Sequence, residues 1–98
     1  MKFDSNLPIY LQIMDYIKGL IISQELDKGE KLPSVRDLST ELKVNPNTIQ
    51  RSYQELEREN LVESKRGMGT FVTEDEQIIK RLKSTMASSW TNKFVNDM

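Results

Sequence analysis

The sequence predicts a mainly α-helical fold with one small β-hairpin and a short helical tail. Three patterns carry that expectation. Apolar residues recur at spacings of three and four in four separate stretches, the period of a helix that buries one face. Two of those stretches lie inside KLPSVRDLSTELKVNPNTIQRSYQEL (residues 31–56), each with its own start signal and only a few residues apart. Two short β-prone runs then flank Arg66–Gly67–Met68–Gly69, a turn composition.

Pro8 opens the first helix, at the position where a missing N–H does no harm. Ile9, Ile13, Tyr16, Ile17, Leu20 and Ile21 give it one broad apolar face, which ends near Ser23–Gln24 before an Asp27–Lys28–Gly29 turn. Pro33 holds Leu32 extended. Ser34 reads as an N-cap, with Asp37 three residues on completing a capping box. Val35, Leu38 and Leu42 form the stripe of a short second helix, which breaks at Lys43–Val44. Asn45 is a strong N-cap and Pro46 suits the first helical position, so a third helix runs to about Glu59. Its stripe is Ile49, Ser52, Tyr53 and Leu56, and Asn60 suits the left-handed residue that ends it. Leu61 to Lys65 and Thr70 to Thr73 are the hairpin strands. From Glu74 the chain turns helical again, with Ser88–Ser89 as a candidate bend.

Composition narrows the function. The chain has 98 residues, 37% hydrophobic and 30% charged, which fits one small globular domain with an appendage. The net charge of −1 gives no general pull toward nucleic acid or membrane, so any basic patch must come from local arrangement. With no cysteine and no histidine, thiolate chemistry and the commonest general base and metal ligand are missing. The remaining carboxylates, Lys, Tyr and Ser show no catalytic pairing, so no catalytic residue, metal or cofactor is expected. No apolar run is long enough for a signal peptide or a membrane span. A cytoplasmic protein is expected.

With Ile49, Tyr53 and Leu56 facing the core, Asn47, Arg51, Gln54 and Arg58 fall on the opposite face, flanked by Thr48 and Gln50. All six can donate hydrogen bonds, and the helix N-terminus adds free N–H groups and a positive dipole end suited to phosphate. Arg reads guanine edges, and Asn and Gln read adenine edges, in the major groove of DNA. The plainer explanation is a solvated polar face, which most helices have. Its surroundings favour DNA. Arg36 opens the preceding helix, and Lys65–Arg66 lie at the hairpin. Residues 31–51 hold four basic and two acidic residues, against three and five in residues 1–30. Two helices joined by a tight turn, the second entering the groove, make a helix-turn-helix, and the hairpin is its wing.

From Pro8 to Val72 the chain resembles the N-terminal winged helix-turn-helix of the GntR family of bacterial transcription regulators. The matching stretches are PIYLQIMDYIKGLI, GEKLPSVRDLSTEL, VNPNTIQRSYQELERENLV and GMGTFV. The resemblance implies a sequence-specific DNA-binding regulator, with Arg36, Asn45, Asn47, Thr48, Gln50, Arg51, Lys65, Arg66 and Gly67 as its DNA contacts. Pro46 stands where many members carry a polar or basic side chain, so that contact is absent. Gln50 stands where some subfamilies have arginine, which leaves the base preference open.

The expected division is a DNA-binding head over residues 1–73 and a helical tail over residues 74–98. A tail this short resembles the YtrA-like subfamily, whose members lack a large effector domain and dimerise through a small helical extension. They often sit beside ABC-transporter genes. Ile78, Leu82, Met86, Trp90 and Phe94 form an apolar stripe on the tail, either packed on the chain's own first helix or on a second subunit. The second is favoured, because pairing of like surfaces is the commonest assembly. The resulting expectation is a homodimeric repressor on an inverted-repeat operator in double-stranded DNA, controlling a transporter operon. A winged helix used only for protein docking is the alternative. An effector ligand is left open.

Overall fold

The structure is a computed structural model that describes residues 3–96, with side chains described through Met86. Its element order is α1 (Ile9–Ile22), α2 (Val35–Leu42), α3 (Pro46–Arg58), β1 (Val62–Lys65), β2 (Gly69–Val72) and α4 (Glu76–Asn96). A mainly α fold with a small antiparallel hairpin is what the sequence predicts.

Caps set most of the boundaries. Ser34 Oγ accepts from Asp37 N–H at 3.0 Å, the bond a Ser N-cap makes. Asn45 Oδ1 accepts from Asn47 N–H at 2.8 Å, with Pro46 at the first helical position. Lys43 closes α2 in the left-handed region (φ 57°) and Asn60 lies just past α3 at φ 64°. Asp75 caps α4, accepting from Gln77 N–H at 2.9 Å, so that helix begins two residues later than expected. Pro8 stands one position earlier than expected, as the N-cap of α1 with extended backbone. At the proposed bend, Ser88–Ser89 lie inside continuous helix. Serine costs only a few tenths of a kcal/mol relative to alanine in a helix interior, roughly, too little to break one alone.

The core lies where the three head helices meet the hairpin. Ile13, Ile17 and Ile21 of α1, Leu38 of α2, Ile49, Tyr53 and Leu56 of α3, and Val62 and Val72 of the hairpin are all buried. Each such aliphatic side chain contributes about 1.5–3 kcal/mol on leaving water. Leu82 of α4 is only 8% exposed within the same core, and Ile78, Ile79 and Met86 pack against it. The first turns of α4 therefore finish the head of their own chain. Trp90 and Phe94 lie outside the residues whose side chains are described.

The hairpin pairs Val62 with Val72 and Lys65 with Gly69. A third strand-like segment joins it. Leu32 N–H donates to Thr70 O (2.8 Å), Val72 N–H to Glu30 O (2.8 Å), and Lys31 bridges Phe71. The chain just before α2 is thereby sewn to the wing. Gly69 adopts φ 118°, a backbone conformation that favours glycine, and the Lys31 side chain lies against it.

Tyr53, 6% exposed, donates its hydroxyl to Pro33 O at 2.7 Å. Burial, reinforced by the charge of Glu41, pushes its phenol above the ordinary value of 10.0. The folded state thus holds this proton more tightly than the unfolded chain. The contribution is complete below the ordinary phenol value and is lost as pH climbs through the raised one. Tyr53→Phe should destabilise the chain by about 1 kcal/mol and remove that part of the alkaline decline. Denaturant titrations at neutral and alkaline pH check both effects. Among the described residues no buried side-chain polar atom lacks a partner.

Candidate nucleic-acid interface

Three pieces of backbone are fixed relative to one another at one end of the head. The turn between α2 and α3 is short, and it is closed by Val44 N–H to Ser39 O (3.1 Å) and by Ser39 Oγ–H to Val44 O (2.6 Å). The start of α2 is held twice: to the wing through Leu32, and to the middle of α3 through the Tyr53 hydroxyl on Pro33. Arg36 is exposed in the first turn of α2, directly after this doubly held segment. The start of α1 is held by Ser52, which is fully buried and donates to Tyr10 O at 3.0 Å across 42 residues.

On α3, Asn47, Gln50, Arg51, Gln54 and Arg58 are exposed and Thr48 is half-buried, the distribution that the helical wheel predicts. Arg58 lies 3.4 Å from Glu55 and so carries a local partner. Arg51 instead lies over the ring of Tyr10, its guanidinium carbon 3.8 Å from the centroid. A shallow recess beside it is lined by Pro8, Ile9, Tyr10, Asn47, Thr48 and Arg51. Asn45 is exposed, but its side-chain oxygen is committed to the cap. Only its amide N–H is left to face outward.

The free N–H groups expected at the start of α3 are not there. Pro46 has none. Asn47 N–H goes to the Asn45 side chain, and Thr48 and Ile49 N–H both go to Asn45 O, at 3.0 and 3.3 Å. The capping residue accounts for each bonded donor: the Asn45 side chain takes one N–H and its backbone carbonyl the other two. Side chains supply the donors at this end.

At the wing, Arg66, Gly67 and Met68 form an exposed tip, with Gly67 at φ 76° and Met68 N–H returning to Lys65 O at 2.8 Å. Lys65 places its ammonium 4.7 Å from the centroid of the Phe71 ring. Lys31 lies across Gly69 on the bridged segment, so a third cation joins Lys65 and Arg66 at the hairpin. Sequence reading passes over Lys31 because it precedes α2 as ordinary loop. It passes over Tyr10 as well, whose signal is an aromatic residue off the apolar stripe of α1. Among the described residues no group of acidic side chains is placed to hold a metal ion, and no helix is long and apolar enough to cross a membrane.

Three helices, a tight turn between the second and third, and a two-stranded wing beside them define a winged helix-turn-helix. The family described as "Bacterial regulatory proteins, gntR family" matches residues 9–72, and this chain belongs to it. It is a DNA-binding transcriptional regulator, in a family of regulators rather than enzymes. An uncharacterized HTH-type transcriptional regulator of Bacillus subtilis, YhcF, is 47% identical over 97 residues, 99% of this chain and 80% of that protein. The HTH-type transcriptional repressor YtrA of the same organism is 46% identical over 71 residues, 72% of this chain but 55% of its own length. Among solved structures, a GntR family transcriptional regulator from Listeria monocytogenes superposes with a TM-score of 0.93 at 44% identity, covering 98% of this chain and 84% of that one. YtrA from Sulfolobus acidocaldarius, a GntR-family transcription factor, matches with a TM-score of 0.67 at 30% identity, over 100% of this chain and 84% of its own.

Proposed function

We propose that this chain is a repressor that binds an inverted-repeat operator as a homodimer in the cytoplasm, reading bases with the exposed face of α3. The observation that carries this reading is the row of donors from Asn47 to Gln54. One member, Arg51, has its guanidinium over an aromatic ring. Arg36 and the wing cations flank that row on elements that hydrogen bonds lock to α3. Polar, donor-rich surface of this kind suits base edges and phosphates, whereas a docking module would present apolar side chains there. In this reading Asn47, Thr48, Gln50 and Arg51 meet base edges. Arg36, Lys65, Arg66 and the Gly67 backbone meet phosphate or the minor groove, and Asn45 contributes through its outward amide. Repression is supported by the name of the YtrA relative. A transporter operon as target rests on the subfamily resemblance.

The homodimer is proposed to form through α4. Leu82 is covered by its own chain, so it steadies the base of the helix. Ile78 and Met86, partly buried, border the stripe that continues toward Trp90 and Phe94. The reading is tested by selection of duplexes from a random-sequence library with the full chain. An enriched inverted repeat, with half-site centres about one helical turn apart, is the expected result. Enrichment of no sequence refutes base reading, and a lone half-site refutes the two-fold dimer.

The wing should act on all sequences alike. Replacing Lys65 and Arg66 together with Ala should weaken binding to selected and random duplexes by similar factors. The slope of log K against log salt should also fall by roughly 0.9 for each phosphate that the variant leaves unneutralised. Fluorescence anisotropy across a salt series measures this. An unchanged slope would leave the hairpin as a structural element that closes the core.

A further inference from the structure

Arg51 and Arg58 share the outer face of α3, yet they are held in different ways. Arg58 meets the carboxylate of Glu55 at 3.4 Å. Arg51 meets no carboxylate among the described residues and instead lies over Tyr10 at 3.8 Å. The difference bears on recognition. A carboxylate takes up guanidinium N–H groups and cancels charge, while a ring face fixes the guanidinium and leaves its in-plane donors open. Resting on the operator reading above, we infer that Tyr10 is a positioning residue, a platform that presents Arg51 to a base edge before DNA arrives.

The placement of Tyr10 is built in. Its carbonyl accepts from the hydroxyl of Ser52, the residue next to Arg51, and Ser52 is fully buried. A bond adjacent to both stacked residues therefore fixes the distance between the start of α1 and the middle of α3. The same hydroxyl also lies 3.0 Å from Thr48 O, one turn back on α3, so its single proton is shared between the two carbonyls. Ordering an arginine side chain on binding costs affinity, and a stack that already holds it reduces that cost. A bidentate contact to one base also depends on the guanidinium plane, so the platform bears on base choice as well as strength.

Two measurements test this. In the free protein, the Arg51 side-chain proton resonances should show the upfield shift of a group lying over a ring. Tyr10→Phe should keep that shift and Tyr10→Leu should abolish it. On the duplex selected by the unmodified chain, Tyr10→Leu should weaken binding by roughly two- to fivefold, the scale of an exposed cation–π contact, while Tyr10→Phe stays near the unmodified value. Random duplex should be bound equally by all three. In an Arg51→Ala background Tyr10→Leu should cost nothing further. Unshifted Arg51 resonances, or a Tyr10→Leu loss that persists without Arg51, overturn the positioning role and leave the operator reading standing. An unmodified chain that prefers no duplex overturns both.

Discussion

Arg51→Ala should lower affinity for the selected duplex by about 1–3 kcal/mol, roughly ten- to a hundredfold, while leaving random duplex nearly unchanged. The asymmetry follows from what the side chain is positioned to do. In the proposed interface a guanidinium lying over Tyr10 on the α3 face meets a base edge, and such a contact distinguishes one sequence from another. Arg51→Lys should recover little, because an ammonium on a flexible stem is a point charge without the planar fork. Competition titrations with both duplexes decide the matter. Equal losses on the two would reassign Arg51 to the phosphate backbone.

Removing the distal part of α4 should have a still larger effect on the full operator. If residues 87–98 pair with the same segment of a second chain, a protein ending at Met86 should be a folded monomer that binds one half-site. Linking two heads raises the apparent affinity by a factor on the order of 10²–10⁴, and truncation forfeits that factor. The cut must spare Leu82, which is 8% exposed in the core of the head. A protein ending at Thr73 would lose that side chain together with the packing of Ile78 and Ile79 and should be markedly less stable. Light scattering over a concentration series, paired with operator titrations, reads both consequences. A full chain that stays monomeric at high concentration would remove the dimer from the account.

The α2–turn–α3 unit is legible because its signals are local. Ser34, Asn45, Pro46 and Asn60 each act within a few residues, and the apolar period of α3 assigns every outward side chain. The wing is legible from its turn composition. The Tyr10 platform is not, because it joins residues 41 apart in sequence, and helical periodicity is silent on which off-stripe aromatic meets which cation. The stripe of α4 is equally ambiguous, since an apolar face at helical spacing fits its own core and a partner's alike. In the fold, its first turns serve the former. The missing N–H donors at the start of α3 show how one signal carries two consequences. Asn45 marks the helix start in sequence, and in the fold its side chain takes the Asn47 N–H and its backbone carbonyl takes the next two, donors a phosphate would use.

The proposed interface joins the start of α2, the outer face of α3 and the wing tip into one DNA-contacting surface. Amide and side-chain resonances of the full chain, followed through titration with its selected duplex, test it most directly. The largest changes are expected at Arg36, Asn47 to Arg51 and Lys65 to Gly67, with Tyr10 shifting alongside Arg51 and the Ile13–Ile17 core of α1 little affected. Changes centred on α4 or on the far side of α1, with α3 and the wing undisturbed, would contradict it.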